Sequence, residues 1–169
     1  MKWIDSDYWN NVDVPWSELL TEQVITNNPL TYENVINDRV VKELTKLLNN
    51  EFKVPVVYDE HKGNQSFLIH NLSESIVNYL SNAEHRDFSV TIQYRLKQPN
   101  YGTSFNTLNQ VSLRMERLRK LIFTNRTLNN GATWFDARID SVEYLRDEEE
   151  NNFIFSDAEF VCSSIILGS

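Results

Sequence analysis

The part of the sequence that most constrains the fold is an alternating run at residues 85–96, HRDFSVTIQYRL. Positions 88, 90, 92, 94 and 96 are apolar, whereas positions 89, 91, 93 and 95 are polar. Strict alternation is typical of a β-strand with one buried face. At about 3.3 Å per residue the run spans roughly 35 Å, which is long for a strand of a small globular protein. The sequence therefore predicts a long amphipathic sheet, and we expect such a sheet to meet neighbouring copies of the chain.

Length and composition are those of one globular domain. The chain has 169 residues, 41% of them hydrophobic, which allows a single sizeable core. No apolar run reaches the roughly 20 residues of a membrane span, and acids stand where a signal peptide would carry bases. We therefore expect assembly in the cytoplasm without membrane contact. The single cysteine, Cys162, lies in an apolar strand pattern and is interpreted as a small buried hydrophobe.

The net charge of −8 argues against broad binding to duplex DNA, because that affinity comes mainly from lysine and arginine. A local basic patch remains compatible with this average. Glycine and proline, four of each, leave little room for phosphate-binding loops or flexible linkers.

Residues 1–30 differ from the rest of the chain and are interpreted as an N-terminal arm. Aromatic residues stand there among acids: Trp3, Tyr8, Trp9 and Trp16. A short helix is predicted at residues 17–25. The arm either covers its own domain or docks on another subunit or protein, since tryptophan and tyrosine are favoured in interface cores.

A helix beginning near Thr31 and several strands are predicted next. Apolar residues recur at steps of three and four up to Leu48, which gives one stripe. A strand follows at 54–59, and Pro55 within it indicates either an edge strand or the start of a strand. QSFLIHN is read as a short strand, whereas LSESIVNYLSNAE is ambiguous between a short helix and an irregular wrap. We favour the wrap.

The sequence pattern in the second half of the chain predicts one long helix and a final hairpin. The helix spans about residues 104–124, with apolar residues at steps of three and four from 108 to 122 and several arginines on its polar side. Strands at about 134–145 and 153–166 follow, joined by the acidic tip RDEEENN. Residues 31–169 are thus predicted to form a single α+β domain, a mainly antiparallel sheet with two helices on one face, plus the N-terminal extension.

No catalytic or metal-binding pattern stands out. The three histidines, His61, His70 and His85, lack ligand spacing, and no nucleophile elbow, phosphate loop or dinucleotide fingerprint is present. Paired carboxylates remain open, because the fold and not sequence spacing brings them together. We expect no enzymatic activity and no cofactor.

Two charge clusters are candidate interface residues. The acidic tip is either a solvated turn or a partner for a neighbour's basic helix. The basic helix either pairs within itself, contacts nucleic acid, or meets a neighbour's acids. The residues concerned are Asp147, Glu148 and Glu149 in the tip and Arg114, Arg117 and Arg119 in the helix.

The order of these segments resembles the tail-terminator or tail-completion proteins of tailed bacteriophages. The resemblance runs over residues 31–167, through VVKELTKLLNN, VPVVYDE, QSFLIHN, AEHRDFSVTIQYRL, LNQVSLRMERLRKLI and DAEFVCSSIIL. It implies a non-enzymatic ring, commonly of six subunits, that caps the tail tube and joins it to the head connector. The arm at residues 1–30 departs from the shorter forms of that family.

The predicted function is therefore that of a structural virion protein of the phage neck or tail end, assembled in the host cytoplasm. Its expected partners are further copies of itself in a hexameric ring, the tail tube protein and the head–tail connector or adaptor proteins. DNA would only pass through the ring lumen. Two alternatives stay open: a head-completion or connector adaptor protein, and a nucleic-acid-binding α+β module using Arg114, Arg117, Arg119 and Arg126.

Overall fold

The computed structural model describes residues 33–98, 104–146 and 152–167. The predicted N-terminal arm, including the helix at 17–25, lies outside these residues. In the described part, five strands and two principal helices form an α+β fold, as predicted.

The first helix begins as a π-helical turn, Ile36–Val41, and continues as α1, Lys42–Phe52. Val40, Leu44 and Leu48 follow each other at four-residue steps and are fully buried, so one stripe faces the core. Lys53 ends the helix in the left-handed conformation, with φ at 55°, and its N–H donates to the carbonyl of Asn49 at 3.2 Å. The predicted helix and its apolar stripe are confirmed.

The second helix, α2, spans Ser104–Thr124, with the predicted bounds. Val111, Met115, Leu118 and Ile122 are buried at steps of three and four. These side chains join those of α1 in one core cluster. Both helices therefore pack on the same layer of apolar sheet residues.

The sheet contains β1 (Val56–Val57), β2 (Gln65–Leu80), β3 (Ala83–Lys97), β4 (Phe135–Arg146) and β5 (Phe153–Leu167). Their spatial order is β1-β2-β3-β5-β4. β1 runs parallel to β2, and the other neighbours are antiparallel. The predictions for the long central strand and for the final hairpin are confirmed.

β1 is shorter than predicted, begins directly after Pro55 and is an edge strand, so both predictions from Pro55 are met. It pairs only with Phe67 and Leu68 of β2. The carbonyl of Pro55 accepts a hydrogen bond from the N–H of Phe67 at 2.9 Å, so proline supplies an acceptor where it cannot donate.

The prediction of an irregular wrap after QSFLIHN was wrong. β2 continues through that segment to Leu80 as a strand of 16 residues, paired with β3 nearly to its end. Its pairing with β3 shifts between His70 and Ser73 and again between Ile76 and Asn78. Each shift moves the following side chains to the other face, so the sequence lacks the alternation that identifies a strand.

The core lies between the helices and one face of the sheet. On β3, Phe88, Val90, Ile92 and Tyr94 are buried and share the predicted apolar parity, and Ala83 at the start of the strand is also buried. Trp134 closes the core beside the end of α2, where its Nε1–H donates to the carbonyl of Asn125 at 3.0 Å. Cys162 is buried, as predicted.

Candidate assembly surface

The second half of β2 projects out of the core. All ten residues from Asn71 to Leu80 are exposed, so neither helix covers them. Half of them are large apolar side chains with exposed fractions between 41% and 72%: Leu72, Ile76, Val77, Tyr79 and Leu80. We call residues 73–80 the outer β2 segment. Apolar side chains gathered in this way are typical of interaction surfaces.

Two bulges distribute these side chains over both faces of the sheet. At the first bulge Asn71 has a φ of 50°, a left-handed conformation that asparagine adopts more readily than most residues. Beyond it Glu74 pairs with Phe88, so even-numbered residues now point to the helix face. After the second bulge Tyr79 takes that face, and Leu80 points to the opposite face beside Ala83.

The outer β2 segment also has an unpaired backbone edge. On one side it pairs with β3 as far as Leu80. On the other side β1 reaches only Phe67 and Leu68, and no other described strand pairs there. Within the described part of the chain, the backbone N–H and C=O groups on that side therefore have no strand partner.

The end of β5 extends this surface. Leu167 pairs with Ala83, which in turn pairs with Leu80, so the three side chains form a row on the face opposite the helices. Ile165 stands in the next row beside His85. Leu167 and Ile165 are exposed by 72% and 43%, respectively.

On the helix face of the same region, one arginine lies between two glutamates. The Nε of Arg86 donates to Oε2 of Glu84 at 2.7 Å, and its Nη1 lies 3.7 Å from Oε2 of Glu74. Two carboxylates around one guanidinium leave a net negative charge. Because these groups are partly exposed, they contribute little to folding stability.

The opposite edge of the sheet is formed by β4, which carries more charged residues than the outer β2 segment. Its register with β5 shifts twice, between Phe135 and Arg138 and between Ile139 and Ser141. At the first shift Asp136 has a φ of 53° and accepts hydrogen bonds from Arg126 and Arg138, which lower the pKa of its carboxyl group. Arg138 also donates to Asp140 at 2.6 Å. Bulges and charges of this kind protect an edge from pairing with another strand.

A groove of about 740 Å³ lies between α1 and the part of β2 that precedes the outer β2 segment. Val41 and Thr45 contribute from the helix, and Ile69 and Leu72 contribute from the strand. Tyr58, which follows β1, lies in the same groove with its hydroxyl 2.8 Å from that of Thr45. The groove opens where β1 ends, so it adjoins the unpaired edge of β2.

The predicted basic cluster on α2 is divided between two sides of the helix. Arg117 donates from Nε to Oε1 of Glu51 at 2.5 Å, and its guanidinium lies 5.5 Å from the ring centre of Phe52 on α1. Arg114 lies 5.9 Å from the same ring centre. Arg119 instead bonds Glu116 at 2.9 Å, on the side of β4. Residues 114 and 119 are five positions apart and so point in different directions, which means that the three arginines do not form one continuous surface.

The β4 side of α2 brings together basic residues that were not all predicted. Arg119, Lys120, Arg126 and Arg138 line a groove of about 630 Å³ with Phe123, whose side chain is 74% exposed. Arg126 was predicted from the sequence, whereas Arg138 was not. Arg138 lies on β4, and only the fold brings it next to the basic residues of α2. Glu116, Asp136 and Asp140 pair with three of the four cations, so the local positive charge is small.

On the face opposite the helices, a loop after β1 is held by a chain of hydrogen bonds. Nδ1 of His61 lies 2.8 Å from Oγ of Ser66, and its Nε2 lies 2.9 Å from Oε1 of Gln93. Gln93 then donates to Asp157 at 2.8 Å. Ser66 is fully buried and also accepts the N–H of Lys62, so its hydroxyl is not presented to solvent. The order of these groups resembles a proton relay. Because the serine hydroxyl is buried, we interpret the hydrogen bonds instead as a loop anchor, a set of contacts that hold the loop on the sheet.

Burial lowers the pKa of His61, and electrostatic interactions with Arg95 and His70 lower it further. The hydrogen bond to Gln93 and the charge of Asp157 act in the opposite direction without outweighing burial. His61 is therefore predominantly neutral near pH 7. A neutral ring donates from Nε2 to Gln93 and accepts at Nδ1 from Ser66.

Several candidate residues lie outside the described part of the chain. These are Trp3, Tyr8, Trp9 and Trp16 of the arm and Asp147, Glu148 and Glu149 of the acidic tip. Among residues 33–98, 104–146 and 152–167, no group of three or more histidine, cysteine, aspartate or glutamate side chains is placed to hold a metal ion. None of the described helices is long and apolar enough to cross a membrane.

No family model matches the chain, and no characterised protein matches its sequence.

Proposed function

We propose that this chain is a structural protein of the bacteriophage neck or tail end that works by assembling with itself and with neighbouring virion proteins. The observation that carries the proposal is the uncovered end of the sheet. There β2 and β5 expose seven large apolar side chains beside an unpaired strand edge. A chain that functions alone gains nothing from this exposure, whereas an assembling subunit buries it in a contact.

The assembled form is a ring of six subunits that caps the tail tube and contacts the head–tail connector. A ring requires head-to-tail contacts between two different surfaces of the subunit. The separate basic sectors of α2 and the acidic tip supply different charges for such contacts. The chain acts in the virion after assembly in the host cytoplasm, without enzymatic activity, cofactor or membrane partner, and DNA passes only through the lumen.

Negative-stain imaging of the purified full chain, alone and mixed with tail tubes, tests this proposal. We expect rings that attach to tube ends. Protein that forms no ring and does not bind tubes would contradict it. Attachment to purified connectors but not to tubes would favour the alternative of a head-completion or connector adaptor protein.

The arm is tested separately by deleting residues 1–28. If its aromatic residues anchor an interface, the shortened chain stays folded by circular dichroism but does not assemble. A shortened chain that is unfolded would show that the arm completes the domain instead.

The nucleic-acid alternative now concerns the groove between α2 and β4. Exposed Phe123 among Arg119, Lys120 and Arg126 is the pairing of a stacking surface with cations that single-stranded nucleic acid uses. A gel shift that weakens steeply with salt and disappears in the Arg119→Ala, Arg126→Ala double variant would support this alternative. Absence of a shift at low salt would eliminate it.

A further inference from the structure

We propose that the groove between α1 and β2, which we call the α1 groove, binds the N-terminal arm of a neighbouring copy of the chain. The inference rests on the proposed function and deepens it, because it names one of the contacts that join the subunits. An arm and a groove are two different surfaces. Their contact is therefore of the head-to-tail kind that a ring requires.

The first argument is the apolar lining of the α1 groove. Val41 and Ile69 line it and are nearly buried, whereas Leu72 and Tyr58 line it with exposed fractions of 41% and 53%. The volume of about 740 Å³ is within the range of pockets that enclose most of a bound ligand. Exposed apolar side chains in a concave surface of this size indicate a binding site.

The second argument is charge, because the α1 groove is basic and the arm is acidic. Lys42, Lys46 and His70 line the groove, and none of its described lining residues is acidic. Lys46 bonds Glu43, whereas Lys42 has no acidic partner in the described part of the chain. Residues 1–30 contain five acids, one lysine and three of the four tryptophans of the chain. An acidic, aromatic segment thus matches both the cations and the apolar lining.

The third argument concerns which copy supplies the arm. Glu33, where the described chain begins, accepts a hydrogen bond at Oε1 from Nε of Arg39 at 2.9 Å. Arg39 is two positions from both Asn37 and Val41, the groove residues at the start of the first helix. Residues two positions apart do not share a side of a helix, so Glu33 is held on a side away from the α1 groove. This position favours the arm of a neighbouring copy over the chain's own.

Two full-length variants test the contact. The groove variant, Lys42→Glu with Leu72→Glu, places acids where the acidic arm would bind, and the arm variant replaces Trp3, Trp9 and Trp16 by serine. We expect each variant alone to lose at least about tenfold in self-affinity, because like charges or a lost aromatic anchor weaken an interface. The groove variant keeps its arm and the arm variant keeps its groove. A tagged groove variant should therefore capture the untagged arm variant.

A control variant with the same change of charge, Lys97→Glu with Leu145→Glu, lies outside the α1 groove. Leu145 is exposed by 43%, close to the 41% of Leu72. We expect this variant to associate as the native chain does. The melting temperature of each variant establishes that it is folded before association is judged. An equal loss in the control, or no capture between the groove and arm variants, would overturn the proposal. A chain that used its own arm would give the second of these results.

Photocrosslinking in the full chain identifies the occupant without weakening the contact. Benzoylphenylalanine in place of Tyr58 reacts with the segment that lies in the α1 groove. We expect covalent dimers in which mass spectrometry finds this position joined to peptides from residues 1–30. The same amino acid in place of Phe123, which is 74% exposed outside this groove, is the control and should capture no arm peptide. Crosslinks within single chains only, to other peptides, or to none would overturn the proposal.

The two proposals fail in different ways. Rings that persist in both the groove variant and the arm variant would overturn the arm contact and leave the proposed function standing. Capture between the two variants, with no ring formed by the native chain, would support the arm contact and contradict the ring.

Discussion

The indole of Trp134 meets the ring of Phe160 edge-on, with ring centroids 5.5 Å apart and an interplanar angle of 69°. Both side chains are fully buried, and Trp134 also donates to the end of α2. This contact fastens α2 to the sheet. Trp134→Ala is expected to lower the free energy of unfolding by about 3–5 kcal/mol, because it removes a large buried side chain and leaves a cavity.

Chemical denaturation measures this loss, and Phe123→Ala provides the control. Phe123 lies one residue before the end of α2 with its side chain 74% exposed, so we expect a change within about 0.5 kcal/mol. Similar losses for both variants would mean that Trp134 does not occupy the core as described.

A second prediction concerns the pH dependence of stability through His61. Its pKa in the folded chain lies below the value of about 6.5 expected in the unfolded chain. Below pH 6.5 the unfolded chain binds a proton that the folded chain resists. The stability contribution of neutral His61 is therefore complete above pH 6.5 and is lost as the pH falls toward the folded pKa.

Melting temperatures between pH 7.5 and 5 should show this loss in the native chain. His61→Gln is expected to flatten the curve in that interval. An unchanged slope in His61→Gln would contradict the role of this ring as the neutral member of the loop anchor.

Cys162 gives a third prediction. Burial raises the pKa of its thiol to about 12, so the reactive thiolate is scarce at ordinary pH. We expect iodoacetamide at pH 8 to leave the folded chain unmodified and to label it fully in denaturant, as mass spectrometry will show. Rapid labelling of the native chain would mean that β5 opens readily around this residue.

The bulge at Asn71 gives a fourth prediction. Its φ of 50° strains a β-branched side chain but not glycine. Asn71→Gly should therefore change the free energy of unfolding little, whereas Asn71→Val should lower it by about 1–2 kcal/mol. Ser75→Val in the same strand, where φ is not positive, is the control and should be tolerated. A harmless Asn71→Val would show that β2 has no bulge at this position.

The sequence predicts the regular elements well because their hydrophobic periods are uninterrupted. β3 carries one apolar parity from Phe88 to Tyr94, and α2 carries one apolar stripe from Val111 to Ile122, and the structure buries those residues. The outer half of β2 was missed for the converse reason. Bulges at Asn71 and Val77 each shift the alternation by one residue, and a shifted pattern no longer resembles a strand.

The candidate surface was only partly predictable. Its exposed apolar residues come from β2 and β5, which pairing with β3 brings together, and no sequence period reveals that relationship. The grouping of the basic residues was also only partly predictable from the sequence. Arg114 and Arg119 are close in sequence but lie on different sides of α2, while Arg138 reaches the second groove from β4. Similarly, the contact between His61 and Gln93 joins residues 32 positions apart.

The measurement that tests the central claim most directly is the native mass of the purified full chain across a range of concentrations. Assembly through the uncovered end of the sheet predicts a discrete oligomer, with a mass near six times the 19.9 kDa of one chain for the ring. A mass of one chain at every concentration, with no larger species in the presence of tail tubes or connectors, would contradict the account.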